Sequence, residues 1–319
     1  MRLIFCGTPL FAVPSLRRLI AEPEFEVAAV ITQPDRPRGR GNEITFSPVK
    51  QIALDSGIPV HQPLKIRAPE FQPVLEQLAA DVIVIIAYGQ IIPARLLTIP
   101  KLGWINLHAS LLPKYRGAAP INWAIVNGET VSGITTMRID AGMDTGDMLL
   151  QTEIAIGPGE TAPELAARMS EAGAPLMIET LRGLESGGIA PHPQDHAQAS
   201  VAPILKKEDG RIDWRRPARE TFNRMRGFAP WPGATTTFRG QGCQLWGEAV
   251  AAEEVVAGVA AGRPGTIQRE FWKGEPSWIV ICGDATLLRL TAVKVEGRKQ
   301  ISASEFANGA RLTSGDHFV

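Results

Sequence analysis

Short apolar runs alternate with helically spaced stretches through the first half of the chain. Leu3–Cys6 predicts a buried strand, after which Val13, Leu16, Leu19 and Ile20 recur at the spacing of one helix face. Val27–Thr32 predicts the next strand. Ser47 and Pro48 have the chemistry of a helix N-cap and first helical position, opening a helix over Val49–Ser56. The unbroken run Val82–Ala87 is what a central parallel strand needs, because such a strand is covered on both faces. Trp104–His108 predicts a further strand, Ala119–Val126 a helix and Ile134–Ile139 an extended segment. Thr161–Leu184 predicts a long helix ended by Gly183 and Gly187-Gly188. Alternation of this kind predicts an α/β fold with a doubly wound parallel sheet.

The pattern changes near residue 187. Residues 187–205 are rich in Gly, Pro, His, Gln and Ala with little periodicity, which predicts a linker between a domain over 1–186 and another over 206–319. In the latter, short β-like runs are separated by turn residues: Thr235–Phe238, Cys243–Trp246, Gly265–Ile267, Trp278–Ile281 and Leu287–Val295. That spacing predicts a small β-barrel.

Composition narrows the function classes. The 319 residues carry 33 basic and 33 acidic side chains, which excludes a highly basic nucleic-acid coat and an acidic tail protein. The balance is uneven along the chain: residues 1–206 hold 17 basic and 20 acidic groups, and 207–319 hold 16 and 13. The excess in the second half is either a solvated face or a surface that meets a polyanion. Cys6, Cys243 and Cys282 are odd in number and far apart, so reduced thiols are expected and a zinc site of the usual spacing is not. No stretch approaches the ~20 apolar residues of a membrane helix, and the opening run is too short for a signal peptide; a soluble, cytoplasmic protein is expected.

Three segments can carry chemistry. The first strand-to-helix turn reads Phe5-Cys6-Gly7-Thr8-Pro9 and lacks the GxGxxG spacing of a dinucleotide site, and no P-loop is present. The densest polar cluster, Asn106 to Gly117, starts at the carboxyl end of a predicted strand, where open α/β sheets bind ligands. Asn106 and His108 are two residues apart and point to one side, placing an amide donor beside an imidazole. The loop Asp140-Ala141-Gly142-Met143-Asp144-Thr145-Gly146-Asp147 is either a plain turn or a holder for a carboxylate that orients that imidazole. The third segment, Gln33 to Asn42, is longer than a usual strand-to-helix connection. Its Arg36, Arg38 and Arg40 are either solvated or meet phosphates.

Together these motifs resemble a known family. His108–Pro120 reads HASLLPKYRGAAP, similar to the signature of enzymes that transfer a formyl group from 10-formyltetrahydrofolate, and DAGMDTGDM resembles their second signature. Across residues 2 to about 300 the chain is most similar to the methionyl-tRNA formyltransferases. GTPLFAVPSL, TQPDRPRGRG, SPVK, VIVIIAYGQIIP, KKEDGRIDW and FAPWPG carry that likeness. Asn42-Glu43 and Leu10 depart from it, the first lowering the charge of the arginine loop.

The resemblance implies acyl transfer through a tetrahedral intermediate to the α-amine of methionyl initiator tRNA. It implies Asn106, His108 and Asp144 as the catalytic set, and Ser110, Leu111, Leu112 and Pro113 lining the folate. Arg36, Arg38 and Arg40 would lie against the tRNA, as would an OB-like C-terminal barrel. It implies no metal and, with no coiled coil or long exposed edge evident, a monomer is expected. A folate-dependent sugar-nucleotide formyltransferase is the alternative that shares this catalytic set.

Overall fold

A computed structural model describes residues 1–38, 43–251 and 262–319, with the side chains of Arg38, Glu43 and Ile44 outside that description. The chain forms two compact units. The first comprises Met1–Pro120, Val131–Ala155 and Glu164–Pro203; the second comprises Ile121–Thr130, Ile156–Pro163 and Ile204–Val319. A single division across residues 187–205 does not describe this arrangement. Two short excursions from the first half join the second unit, and most of the expected linker runs through the first.

In the first unit β1 (Arg2–Gly7) leads through α1 (Val13–Ala21) to β2 (Glu26–Ile31). A short hairpin, β3 (Arg36–Arg38) and β4 (Glu43–Thr45), precedes α2 (Pro48–Asp55) and β5 (Val60–His61). Ser47 caps α2 as its position implies, accepting from the Lys50 N–H. Then come α3 (Gln72–Gln77), β6 (Val82–Ile86), α4 (Ala94–Leu97), β7 (Trp104–His108) and a two-residue strand, β8 (Arg116–Gly117). α5 (Pro120–Val126) leads into the second unit, and the chain returns as β9 (Val131–Arg138) and β10 (Met148–Ala155). α6 (Ala162–Ser186) and β11 (Val201–Ala202) follow.

The sheet order is β10-β9-β7-β6-β1-β2-β5. The chain runs outward from β1 to β5, then crosses to the other side of β1 for β6 and β7. These five strands are parallel, and all of β6 is buried, as its uninterrupted apolar run requires. β9 and β10 add to this core in antiparallel register, so the sheet is mixed where a purely parallel one was expected. An antiparallel pair needs no crossover, so the loop of residues 139–147 joins β9 directly to β10, and β10, with exposed positions alternating along it, carries too weak an apolar pattern to signal a strand. One core cluster packs Ile4, Cys6, Ile31, Ile83, Ile85 and Trp104. α6 lies against β7: a Cβ on Gly173 would stand 2.7 Å from Leu107 Cδ2. Gly183 lies inside α6 rather than ending it, because its missing side chain admits Ile189, whose Cδ1 would be 2.1 Å from a Cβ there.

The second unit contains α7 (Ala218–Gly227), unforeseen from the sequence, and β12 (Thr235–Phe238), β13 (Gln241–Val250), β14 (Ile267–Trp272), β15 (Glu275–Ile281), β16 (Leu287–Val295) and β17 (Ile301–Ser302), then α8 (Ala303–Ala310). The six strands form one antiparallel sheet, β12-β13-β16-β15-β14, with β17 on β16. Its core joins Trp214, Leu245, Ile267, Val280, Leu288, Phe306 and Phe318, and Trp214 stacks on Phe318 at 5.6 Å. α5 packs on α7 within this unit, where Trp123 meets Phe228 edge-on and the Asn122 amide donates to the Gly227 carbonyl at 2.7 Å.

Candidate active site

β7 delivers Asn106 and His108 to the carboxyl edge of the parallel core. The imidazole is buried, at 6% exposure. Its Nε2 lies 2.9 Å from the Tyr115 carbonyl, which can only accept, so Nε2 carries a proton. Its Nδ1 faces Asp144 Oδ2 at 3.6 Å, an ion-pair distance longer than a hydrogen bond. Only the doubly protonated ring offers a donor to both neighbours. Asp144 Oδ2 also accepts the Gly117 N–H at 2.8 Å. Among the described residues the Asn106 amide has no hydrogen-bond partner, which leaves its N–H groups for a ligand.

The aspartate loop is shaped by its own glycines and by a neighbour from far along the chain. Asp140 accepts from the Gly142 N–H and the Thr145 hydroxyl at 3.0 and 2.8 Å. A Cβ on Gly146 would stand 2.0 Å from the Arg138 carbonyl, so no larger residue fits there. Asp144 itself sits at φ +53°, a conformation an L-residue holds only when its surroundings impose it. Gln194 braces this stretch, donating to the carbonyls of Asp144 and Gly146 at 2.9 and 2.7 Å. Gln194 in turn accepts both Nε and Nη2 of Arg116, and the Arg116 Nη2 also reaches His196 Nδ1.

The Ser110–Pro113 turn follows directly after β7. Thr135 donates to the Ser110 carbonyl at 2.7 Å and accepts the Leu112 N–H at 3.1 Å. Gln151 donates to the Leu112 carbonyl at 2.9 Å, and the Lys114 N–H takes the Leu111 carbonyl. These bonds tie the turn to β9 and β10 through Thr135 and Gln151. The positions that build the site but escaped sequence reading are Tyr115, Thr135, Gln151, Gln194 and Ser200. Only the first stands inside a recognisable motif.

The arginine segment forms the β3–β4 hairpin, with Arg36 exposed and paired through its backbone with Thr45. Arg38 pairs through its backbone with Glu43, and Arg40 lies outside the described residues. Beneath the hairpin, Lys50 bonds Asp35 and Gln62, and Gln62 bonds Asp35 at 3.0 Å. Burial pushes the Asp35 carboxyl up, but the bonds from Lys50 and Gln62 outweigh it and hold the group below the usual carboxylate range. A cavity of about 340 Å³ opens there, lined by Thr8, Gln33, Asp35, Arg36, Thr45 and Ser47. Among the described residues no three His, Cys, Asp or Glu side chains gather as a metal site.

The family model for formyl transferase matches residues 1–181, and that for the formyl transferase C-terminal domain matches 204–311. The methionyl-tRNA formyltransferase of Solibacter usitatus is 52% identical over 99% of this chain and 98% of its own. The chain belongs to the methionyl-tRNA formyltransferase family. That of Koribacter versatilis, a second methionyl-tRNA formyltransferase, is 51% identical over the same shares. Solved structures share the fold at much lower identity. An N-formyltransferase from Helicobacter canadensis, in complex with folinic acid and dTDP-3-aminofucose, is 20% identical with a TM-score of 0.65, over 90% of this chain and 98% of its own. HypX from Aquifex aeolicus, in complex with tetrahydrofolic acid, is 16% identical with a TM-score of 0.59, over 96% of this chain and 47% of its own. The sugar-nucleotide alternative therefore has distant likeness behind it, and methionyl-tRNA formyltransferases match end to end.

Proposed function

We propose that this enzyme transfers the formyl group of 10-formyltetrahydrofolate to the α-amine of methionyl initiator tRNA. The observation that carries the reading is the grouping of Asn106, His108 and Asp144 at the end of β7, in a chain half identical to methionyl-tRNA formyltransferases over nearly its whole length. When bound, the folate supplies the formyl carbon at the acyl oxidation level. An amide with uncommitted N–H groups beside a buried imidazole–carboxylate pair fits a carbonyl whose oxygen gains charge as the amine adds. Asn106 donates to that oxygen. His108, in its doubly protonated form, puts a positive charge next to it. Asp144 holds the ring in place and takes the proton that the incoming amine loses as it adds; collapse of the tetrahedral intermediate breaks the bond from the formyl carbon to N10, and that proton goes to the departing nitrogen, releasing tetrahydrofolate. The Ser110–Pro113 turn, fixed by Thr135 and Gln151, is a rigid wall for the folate.

The tRNA meets local basic surface on an otherwise neutral protein: Arg36 and Arg38 on β3 with Arg40 close after them in the sequence, and the second unit with its net positive charge. We read the antiparallel sheet of that unit as an OB-like barrel. The test is formyl-methionine formation by the purified protein from 10-formyltetrahydrofolate and methionyl initiator tRNA, with elongator methionyl-tRNA and an amino-sugar nucleotide in parallel. Initiator-selective turnover is expected. Turnover of the sugar nucleotide alone would overturn the assignment of the acceptor.

A further inference from the structure

The amide of Gln194 is buried and fully used. Its oxygen accepts two N–H groups of the Arg116 guanidinium, at 3.0 and 2.7 Å. Its nitrogen donates to two main-chain carbonyls, those of Asp144 and Gly146, at 2.9 and 2.7 Å. A guanidinium only donates and a carbonyl only accepts, so one orientation of the amide satisfies all four bonds. The contacts close a ring. From the Asp144 main chain it passes through Gln194 to the Arg116 side chain, along the Arg116–Gly117 peptide, and back through the Gly117 N–H to the Asp144 carboxylate. Arg116 is itself fixed, because its N–H donates to the Ser200 carbonyl at 2.8 Å and β8 pairs with β11. Both ends of Asp144, carbonyl and carboxylate, are thus tied to one rigid segment while its backbone stays at φ +53°.

We propose that Gln194 is a positioning residue for formyl transfer, setting the Asp144 carboxylate against His108 by clamping the aspartate loop to Arg116. The inference rests on the proposed function. It goes beyond the catalytic set because it assigns a role to a residue 50 positions from Asp144, in a stretch with no periodic pattern. Packing alone would not require an amide here, since an apolar side chain fills the same space.

Gln194→Glu separates the two halves of the clamp. It keeps an acceptor for Arg116 and strengthens that contact, but sets an oxygen against the two loop carbonyls. Positioning requires kcat to fall by about 10–100-fold, the scale of a misplacement of roughly 1 Å, with the KM for methionyl-tRNA within about twofold. In an Asp144→Asn background the same change adds no further loss, because the residue acts through that carboxylate. If Gln194 merely anchors Arg116, Gln194→Glu keeps parental kcat, and that result overturns the inference; so does an additive loss in the Asp144→Asn background. Arg116→Lys tests the clamp from its other end should Gln194→Glu not fold, with a smaller loss of kcat and the same non-additivity expected, and additivity again overturning the inference. Parent enzyme is assayed alongside: its failure to form product overturns the proposed function and this inference together, whereas an active parent with an unaffected variant overturns the inference alone.

Discussion

Replacing Gly117 by alanine tests how tightly β8 is held. Gly117 lies at φ +118°, and a Cβ there would stand 2.7 Å from the Ala202 carbonyl oxygen. Ordinary contact begins at 3.4 Å, so β11 must retreat by 0.7 Å. The same oxygen accepts the Ala118 N–H at 2.9 Å and the Ala119 N–H at 3.3 Å; the shift takes the shorter to about 3.6 Å, beyond a hydrogen bond. Two such bonds contribute about 2 kcal/mol. Forcing an L-residue to this φ costs about 1–3 kcal/mol more. The expected loss of stability is therefore about 3–5 kcal/mol. Because the Gly117 N–H holds the Asp144 carboxylate, turnover should fall by about a hundredfold. Gly103→Ala is the control: φ is +82° there, but nothing lies within 4 Å of the added carbon, so only about 1–2 kcal/mol is lost and turnover is kept. Urea unfolding and formyl-transfer kinetics on the pair are decisive. Equal behaviour of the two variants in both assays would refute the argument.

Asn106→Asp keeps shape and removes a donor; kcat should drop about 10²–10³-fold, and full turnover in a steady-state assay would dismiss the oxyanion role. Substituting Arg36, Arg38 and Arg40 together by alanine should raise the KM for tRNA and flatten its salt dependence by about one unit of slope for each phosphate no longer bound; an unchanged slope speaks against the hairpin. All three thiols are buried, and burial pushes Cys6 far up and Cys282 up to about 12. A thiol reagent at about pH 8 should therefore label none in the native protein and all three after denaturation, as mass spectrometry would count. Asp35 has a folded value below its unfolded one, so its stabilisation is present above about pH 4 and lost as pH falls through the lowered value. Lys50→Met should therefore be less stable than the parent in urea at about pH 7, with the gap narrowing as the medium is acidified; a gap that stays constant counts against the pair.

Strands buried on both faces declare themselves by uninterrupted apolar runs, which is why β1, β6 and β7 were legible. β10 and α7 were not, because exposed positions interrupt β10 and Arg219, Arg224 and Arg226 stand in α7, so their periodicity is diluted. Asn106 and His108 were legible as a pair since a strand end puts alternate residues on one side. Asp144 needed its loop motif and the resemblance. Gln194 and Ser200 had no local signal at all: their value comes from contacts 48 to 85 residues away, which no window along the chain contains. Thr135 and Gln151, which fix the Ser110–Pro113 turn from β9 and β10, likewise gave no signal in the sequence.

Those distant contacts bear on how the enzyme is born. A ribosome adds the aspartate loop to the chain roughly 3–10 seconds before Gln194, at about 5–20 residues per second. Until residues 194–202 emerge, Tyr115, Arg116 and Asp144 lack the contacts that Gln194 and Ser200 make with them, although the parallel strands are already complete. The site is therefore completed late, when the returning segment threads into place. A nascent chain stalled short of that point would possess its signature residues without the clamp that sets them.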